Sequence, residues 1–169
     1  LKKDLLSFSS LDNKNFYEGF IDFKPFYFDL NFNYEGLSSK NLFNHDSIFI
    51  DILSSDILNN KNLNGNINLT VKNISNLNKL NSLDLKVSIE EGGIYLSNSI
   101  LMWKNDLSIK LNESLLSFDD DGMNLIGTVL LGFKNIDNFY KSFQIQKQNR
   151  KDIKEIQLDF VYNFNNKKI

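Results

Sequence analysis

Three short runs hold the residues whose types and spacing could do chemistry. His45 is the only histidine in the 169-residue chain and stands beside Asp46. One imidazole can activate a nucleophile or ligate a metal, but a triad also needs an elbow serine, and no such motif accompanies it. His45 is therefore read as a surface or capping residue. Asp119-Asp120-Asp121-Gly122 offers oxygen ligands to calcium. It lacks the spaced ligands and distal glutamate of an EF-hand loop, and acidic hairpin tips are common. Glu90 and Glu91 resemble an acid–base pair, yet neighbours on a strand point to opposite faces. The chain has no Cys, which removes disulfides, thiol chemistry and Cys-ligated metals. The reading is a protein that is not an enzyme, with no cofactor and no metal site.

Charge adds one feature. Lys147, Arg150, Lys151 and Lys154 form a basic cluster, either a solvated helix end or a contact for anionic headgroups or a partner. The net charge of −2 gives no electrostatic reason to expect nucleic acid. No run approaches the ~20 apolar residues of a membrane-spanning helix.

The elements that would position any site are strands. Leu83, Leu85, Val87 and Ile89 alternate with Asp84, Lys86 and Ser88; after Glu91-Gly92-Gly93 the alternation resumes as Ile94, Leu96 and Ile100 against Tyr95, Ser97 and Ser99. Period two with a glycine hinge predicts a hairpin with one apolar face. The same rhythm predicts strands over 5–11, 16–23, 26–35, 63–71, 107–118, 125–133 and 156–164. Asp46 to Asn59 carries Ile48, Phe49, Ile52, Leu53, Ile57 and Leu58 at helical spacing, and Ile136 to Lys147 carries Ile136, Phe139, Tyr140 and Phe143. Ile74 to Asn81 reads as a short helical or turn link. The absence of Ala argues against tightly packed helices.

The expected fold is mainly β: an antiparallel meander of about nine strands, strongly curved or groove-like, with two short amphipathic helices. Two helices cannot cover the apolar face of so many strands, so that face packs on a second sheet, closes on itself or takes a ligand. Two readings of the face stay open. Phe26, Phe28, Leu30, Phe32 and Val87, with Ile89, Leu96, Leu131, Phe160 and Phe164, are either ordinary core between two sheets or the lining of a groove for acyl chains. The chain begins at Leu without a signal peptide, and residues 1–169 are expected to be a single β-rich domain cut from a longer repeat-containing protein.

Segments 19–43 (GFIDFKPFYFDLNFNYEGLSSKNLF) and 58–109, with the tail 125–160 (LIGTVLLGFKNIDNFYKSFQIQKQNRKDIKEIQLDF), resemble the AsmA-like family, the group including TamB and YhdP. The matching features are a strand leading into Pro-Phe, a linking helix before Leu-Asn-Gly-Asn, the Glu-Gly-Gly hairpin and the Asn-Phe-Tyr-Lys-Ser-Phe helix. The tail is similar to the C-terminal region of an alphaproteobacterial member. The resemblance implies a Gram-negative periplasmic protein, anchored in the inner membrane through a segment outside this chain. It also implies a β-groove that carries phospholipid acyl chains between membranes and supports outer-membrane assembly. The implied partners are phospholipid, and either outer-membrane assembly proteins or adjacent repeats of the same chain. The rival expectation is a structural module with an internally packed sandwich that binds partners through its sheet edges.

Overall fold

In the computed structural model, residues 4–12, 15–38, 60–76, 79–119 and 122–164 are described. Strands β1 (Leu5–Asp12), β2 (Asn15–Phe23) and β3 (Phe26–Tyr34) run antiparallel to one another. After the short β4 (Leu37–Ser38), β5 (Asn64–Val71) pairs with β3 in parallel. Strand β6 (Ile74–Ser75) pairs in parallel with β4 as a separate two-stranded sheet. Then follow β7 (Leu80–Glu90), β8 (Gly93–Leu96), β9 (Ser99–Trp103), β10 (Leu107–Asp119) and β11 (Gly122–Phe133). Helix α1 (Ile136–Ser142), a 3₁₀ turn (Lys147–Asn149) and β12 (Glu155–Asn163) complete the described elements. The main sheet has ten strands in the order β1-β2-β3-β5-β7-β8-β10-β11-β12, with β9 continuing the lane of β8 between β7 and β10.

The alternation in the sequence is what makes these strands, and most lie within a residue or two of the expected bounds. Three expectations need correction. The sheet is mixed, not an antiparallel meander: Phe28 lies opposite Gly65, Leu30 opposite Ile67 and Phe32 opposite Leu69 in a parallel ladder. Parallel neighbours need a crossover connection, which here spans residues 35–63, and period two is the same for both ladder types. The second helix is shorter than 136–147: Phe143 is its C-cap and Gln144 has φ 55°, a left-handed conformation that ends a helix. Ile74 and Ser75 are paired strand residues and β7 begins at Leu80, so of the expected helical or turn link only Asn76 and Lys79 are turn among the described residues. The helix expected over 46–59, His45, and Asp120 and Asp121 lie outside the described residues.

The central hairpin forms as expected, with a shifted hinge. Glu91 (φ 51°) and Gly92 (φ 83°) are the two turn residues, while Gly93 already pairs with Glu90. Two successive positive φ angles match the twist of a two-residue hairpin.

A second departure is a crease across two lanes. Asn98 (φ 58°) separates β8 from β9, and Glu113 (φ 46°) interrupts β10. Leu96 lies opposite Ser114 and Ser99 opposite Leu111, so both lanes take the extra residue at the same level. An extra residue reverses which side chains face inward. Ser99 is therefore buried, Leu101 packs against the core, and Ile100 moves to the other face, the reverse of the assignment from sequence. The Ser99 hydroxyl accepts from the Lys86 N–H (2.9 Å) and donates to the Lys86 carbonyl (3.3 Å), which satisfies the backbone that the crease opens.

Candidate functional site

The register carries one apolar face across every lane. Ile21 faces Phe28, which faces Gly65, which faces Ile89, then Ile94, Leu116, Leu125 and Tyr162. Among the described residues no second sheet of comparable size lies against it; the two-stranded β4–β6 pair is the only other sheet. The opposite face mixes exposed apolar side chains (Leu5, Phe20, Ile126 and Val161) with polar ones, and at β3 and β5 it is polar and internally bonded. Asn68 donates to Asn31 (2.9 Å), Asn31 to Asp29 (2.9 Å), and Asn66 to the Tyr27 hydroxyl (2.8 Å). The Asn66 and Asn68 amides act as rungs across the parallel β3–β5 junction, a use of Asn distinct from its role in turns.

Burial along the apolar face is graded. The middle lanes are sealed: Val71, Ile89 and Ile94 have no exposed surface. The flanks are open: Leu6 and Phe23 expose about half their surface, as does Leu158 on β12. The ten sequence-selected residues all lie on this face and divide along the gradient. Phe28, Val87, Ile89 and Leu96 are buried in the core. Leu30, Phe32, Leu131, Phe160 and Phe164 are half-buried, and Phe26 is exposed. Leu6, Phe8, Phe23 and Leu158 were missed as partners in the open part, although the alternation of β1, β2 and β12 puts them on it.

At the other corner an aromatic cluster closes the face. Trp103 and Phe133 receive Phe139 of α1 edge-on, at 5.7 and 5.2 Å between ring centroids. Phe143 stacks on Phe139 at 4.6 Å and still exposes 57% of its surface. The Asn135 side chain caps α1 by accepting from the Asn138 N–H, and the Asn138 amide donates to Asp106 in the β9–β10 turn (3.0 Å).

Polar chemistry is sparse. Among the described residues no group of three or more His, Cys, Asp or Glu is placed to hold a metal, and no buried side-chain polar atom lacks a partner. A shallow cleft of about 510 Å³ lies over Ser7, Ser9, Glu18, Phe20 and Asp29, and another of about 520 Å³ lies beside Asn64, Glu90, Glu91 and Tyr95. Glu90 accepts from the Ser88 hydroxyl, and Glu91 is a turn residue. One titrating group is displaced. Burial, then the nearby Tyr17 and its hydrogen bond, push the Tyr34 hydroxyl above its ordinary 10.0. No helix among the described residues is long and apolar enough to cross a membrane. Comparison of the chain with protein-family models, curated proteins and solved structures returns no match.

Proposed function

We propose that this chain is a non-catalytic β-groove segment that holds phospholipid acyl chains on the apolar face of its sheet. In this reading the sheet curls around that face, helped by the crease at Asn98 and Glu113, since bulges increase local bend and twist. One observation carries it: a single apolar face runs through every lane of a ten-stranded sheet and opens to solvent at Leu6, Phe23, Phe26 and Leu158. Acyl chains suit such a surface because they need apolar width and few hydrogen bonds. Each CH₂ removed from water contributes about 0.8 kcal/mol, so a short length of chain is held reversibly. The likeness to AsmA-like proteins suggests the setting: the periplasm, anchored to the inner membrane outside this chain, with lipid passing between inner and outer membrane.

Native mass spectrometry of the purified chain tests the reading. Copurifying phospholipid is expected, with loss of most of it in the double variant Phe26→Glu, Leu158→Glu. Protein that emerges lipid-free, and stays so after incubation with phospholipid, would overturn it.

A second reading, a structural or assembly module, draws support from two observations. Phe28, Val87, Ile89 and Leu96 are already enclosed by the protein, and among the described residues β1 and β12 are each paired on one side only. In that case the edges recruit a partner by strand addition, and pull-down with edge-strand peptides in the absence of lipid separates the two.

A further inference from the structure

The sequence cluster Lys147–Lys154 is half of a larger feature. Backbone bonds gather four more lanes at the same end of the sheet. The Lys104 N–H donates to the Lys79 carbonyl (2.6 Å), the Lys134 N–H to the Asp106 carbonyl (2.7 Å), and the Phe133 N–H to the Lys154 carbonyl (2.8 Å). Lys79, Lys104, Lys134 and Lys154 therefore stand at the ends of neighbouring strands, and Lys141, Lys147 and Lys151 continue the set along the α1 connection. This end holds eight basic side chains against four acidic ones (Asp106, Asp137, Asp152 and Glu155), in a chain whose net charge is −2. The opposite end carries Glu90 and Glu91 at the β7–β8 turn and Lys24 at the β2–β3 turn. Neither ion pair among the described residues, Lys24–Asp4 or Lys72–Glu35, involves this set.

The basic end is also aromatic. Lys79 Nζ lies 5.5 Å from the Phe143 ring and 5.7 Å from Trp103, and Lys104 Nζ lies 5.5 Å from Trp103. The loop behind them is fixed. The Tyr140 hydroxyl donates to the Lys151 carbonyl (2.6 Å) and accepts from the Lys151 N–H, while Arg150 donates to the Ile145 carbonyl (2.9 Å). An exposed aromatic ring framed by long cationic side chains matches a headgroup layer, where the ring enters the acyl boundary and the ammonium groups stay with the phosphates.

We propose that this end of the sheet is a docking surface for an anionic phospholipid bilayer. It rests on the acyl-chain reading, since it places a bilayer where the shared apolar face ends at Trp103 and Phe133. A nucleic acid or an acidic protein would satisfy the charge, but neither gives a reason for the apolar face to end among these cations.

Cosedimentation with vesicles of phosphatidylglycerol and phosphatidylcholine, against phosphatidylcholine alone, tests it. Binding is expected only to the anionic vesicles and is expected to weaken with salt. The triple variant Lys79→Gln, Lys134→Gln, Lys154→Gln is expected to lose affinity on the order of 100-fold, about fivefold for each basic side chain near the surface. Phe143→Ser is expected to weaken binding without changing its salt dependence. A control removing equal charge elsewhere (Lys61→Gln, Lys86→Gln, Lys110→Gln) is expected to bind as wild type. Equal loss in the control, binding to neutral vesicles, or capture of oligonucleotide in place of vesicles would each overturn the proposal. The two readings fail separately. Copurified lipid with vesicle binding insensitive to the triple variant removes only the docking surface. Patch-dependent vesicle binding by lipid-free protein removes only the groove.

Discussion

Gly127 has no side chain because Ser114 occupies the space. A Cβ there would lie 2.3 Å from the Ser114 Oγ and 2.6 Å from its Cα, and no rotamer change moves a backbone atom. Gly127→Ala is expected to lower stability by about 1–3 kcal/mol in urea denaturation; a variant within 0.5 kcal/mol of wild type would contradict this account of the crease. Alternation over 125–133 puts Gly127 on the face of Leu125 and Leu131, but the need for glycine there comes from the extra residue in β10, which is a long-range fact. Tyr34 shows a different residue-scale effect. Its hydroxyl is pushed above 10.0 first by burial and then by Tyr17, so the folded protein keeps a proton that the unfolded chain loses. That stability is fully present below pH ~10 and is lost as pH rises through the folded value. Tyr34→Phe is expected to flatten the alkaline fall in melting temperature, and an unchanged alkaline profile would show that other groups cause it.

The turn of the β7–β8 hairpin puts a glutamate, Glu91, at φ 51° next to Gly92 at 83°. Asn tolerates this conformation better than Glu, so Glu91→Asn is expected to raise stability by roughly 0.5–1 kcal/mol, read as a shift in urea midpoint at constant m-value. Helix α1 was legible from Ile136, Phe139, Tyr140 and Phe143 because three- and four-residue spacing makes one face. Its end was not, because Gln144 has neither the flexibility nor the side chain that usually marks a stop. Removing the cap, Asn135→Ala, is expected to cost about 1 kcal/mol. The change is visible in the fluorescence of Trp103, the only tryptophan, which packs on Phe139. Strands were legible throughout, whereas the reversal at Ser99 was hidden: a small polar residue in an outward position of the pattern gives no sign that it fills a gap within the ladder.

At the scale of the molecule, β1 is an exposed edge, with residues 5–10 all exposed. Leu5 to Leu11 contains no charge and no proline, and among the described residues it pairs only with β2, a combination that invites further pairing. Leu5 lies opposite Asp22 and points away from the apolar face. Leu5→Lys is expected to reduce concentration-dependent association in sedimentation velocity while leaving lipid content unchanged; identical sedimentation would mean that the edge is not used. The one-sided sheet was readable from alternation, but its mixed connectivity was not, because side-chain period does not encode strand direction. That direction has a consequence. Nine lanes of strict up-and-down order would begin and finish pointing the same way. The single parallel step between β3 and β5 shifts the count by one, so the outermost strands β1 and β12 point opposite ways. Another sheet of the same build, set beside this one by translation alone, meets it with an unbroken up-and-down sequence and its oily side on the same side.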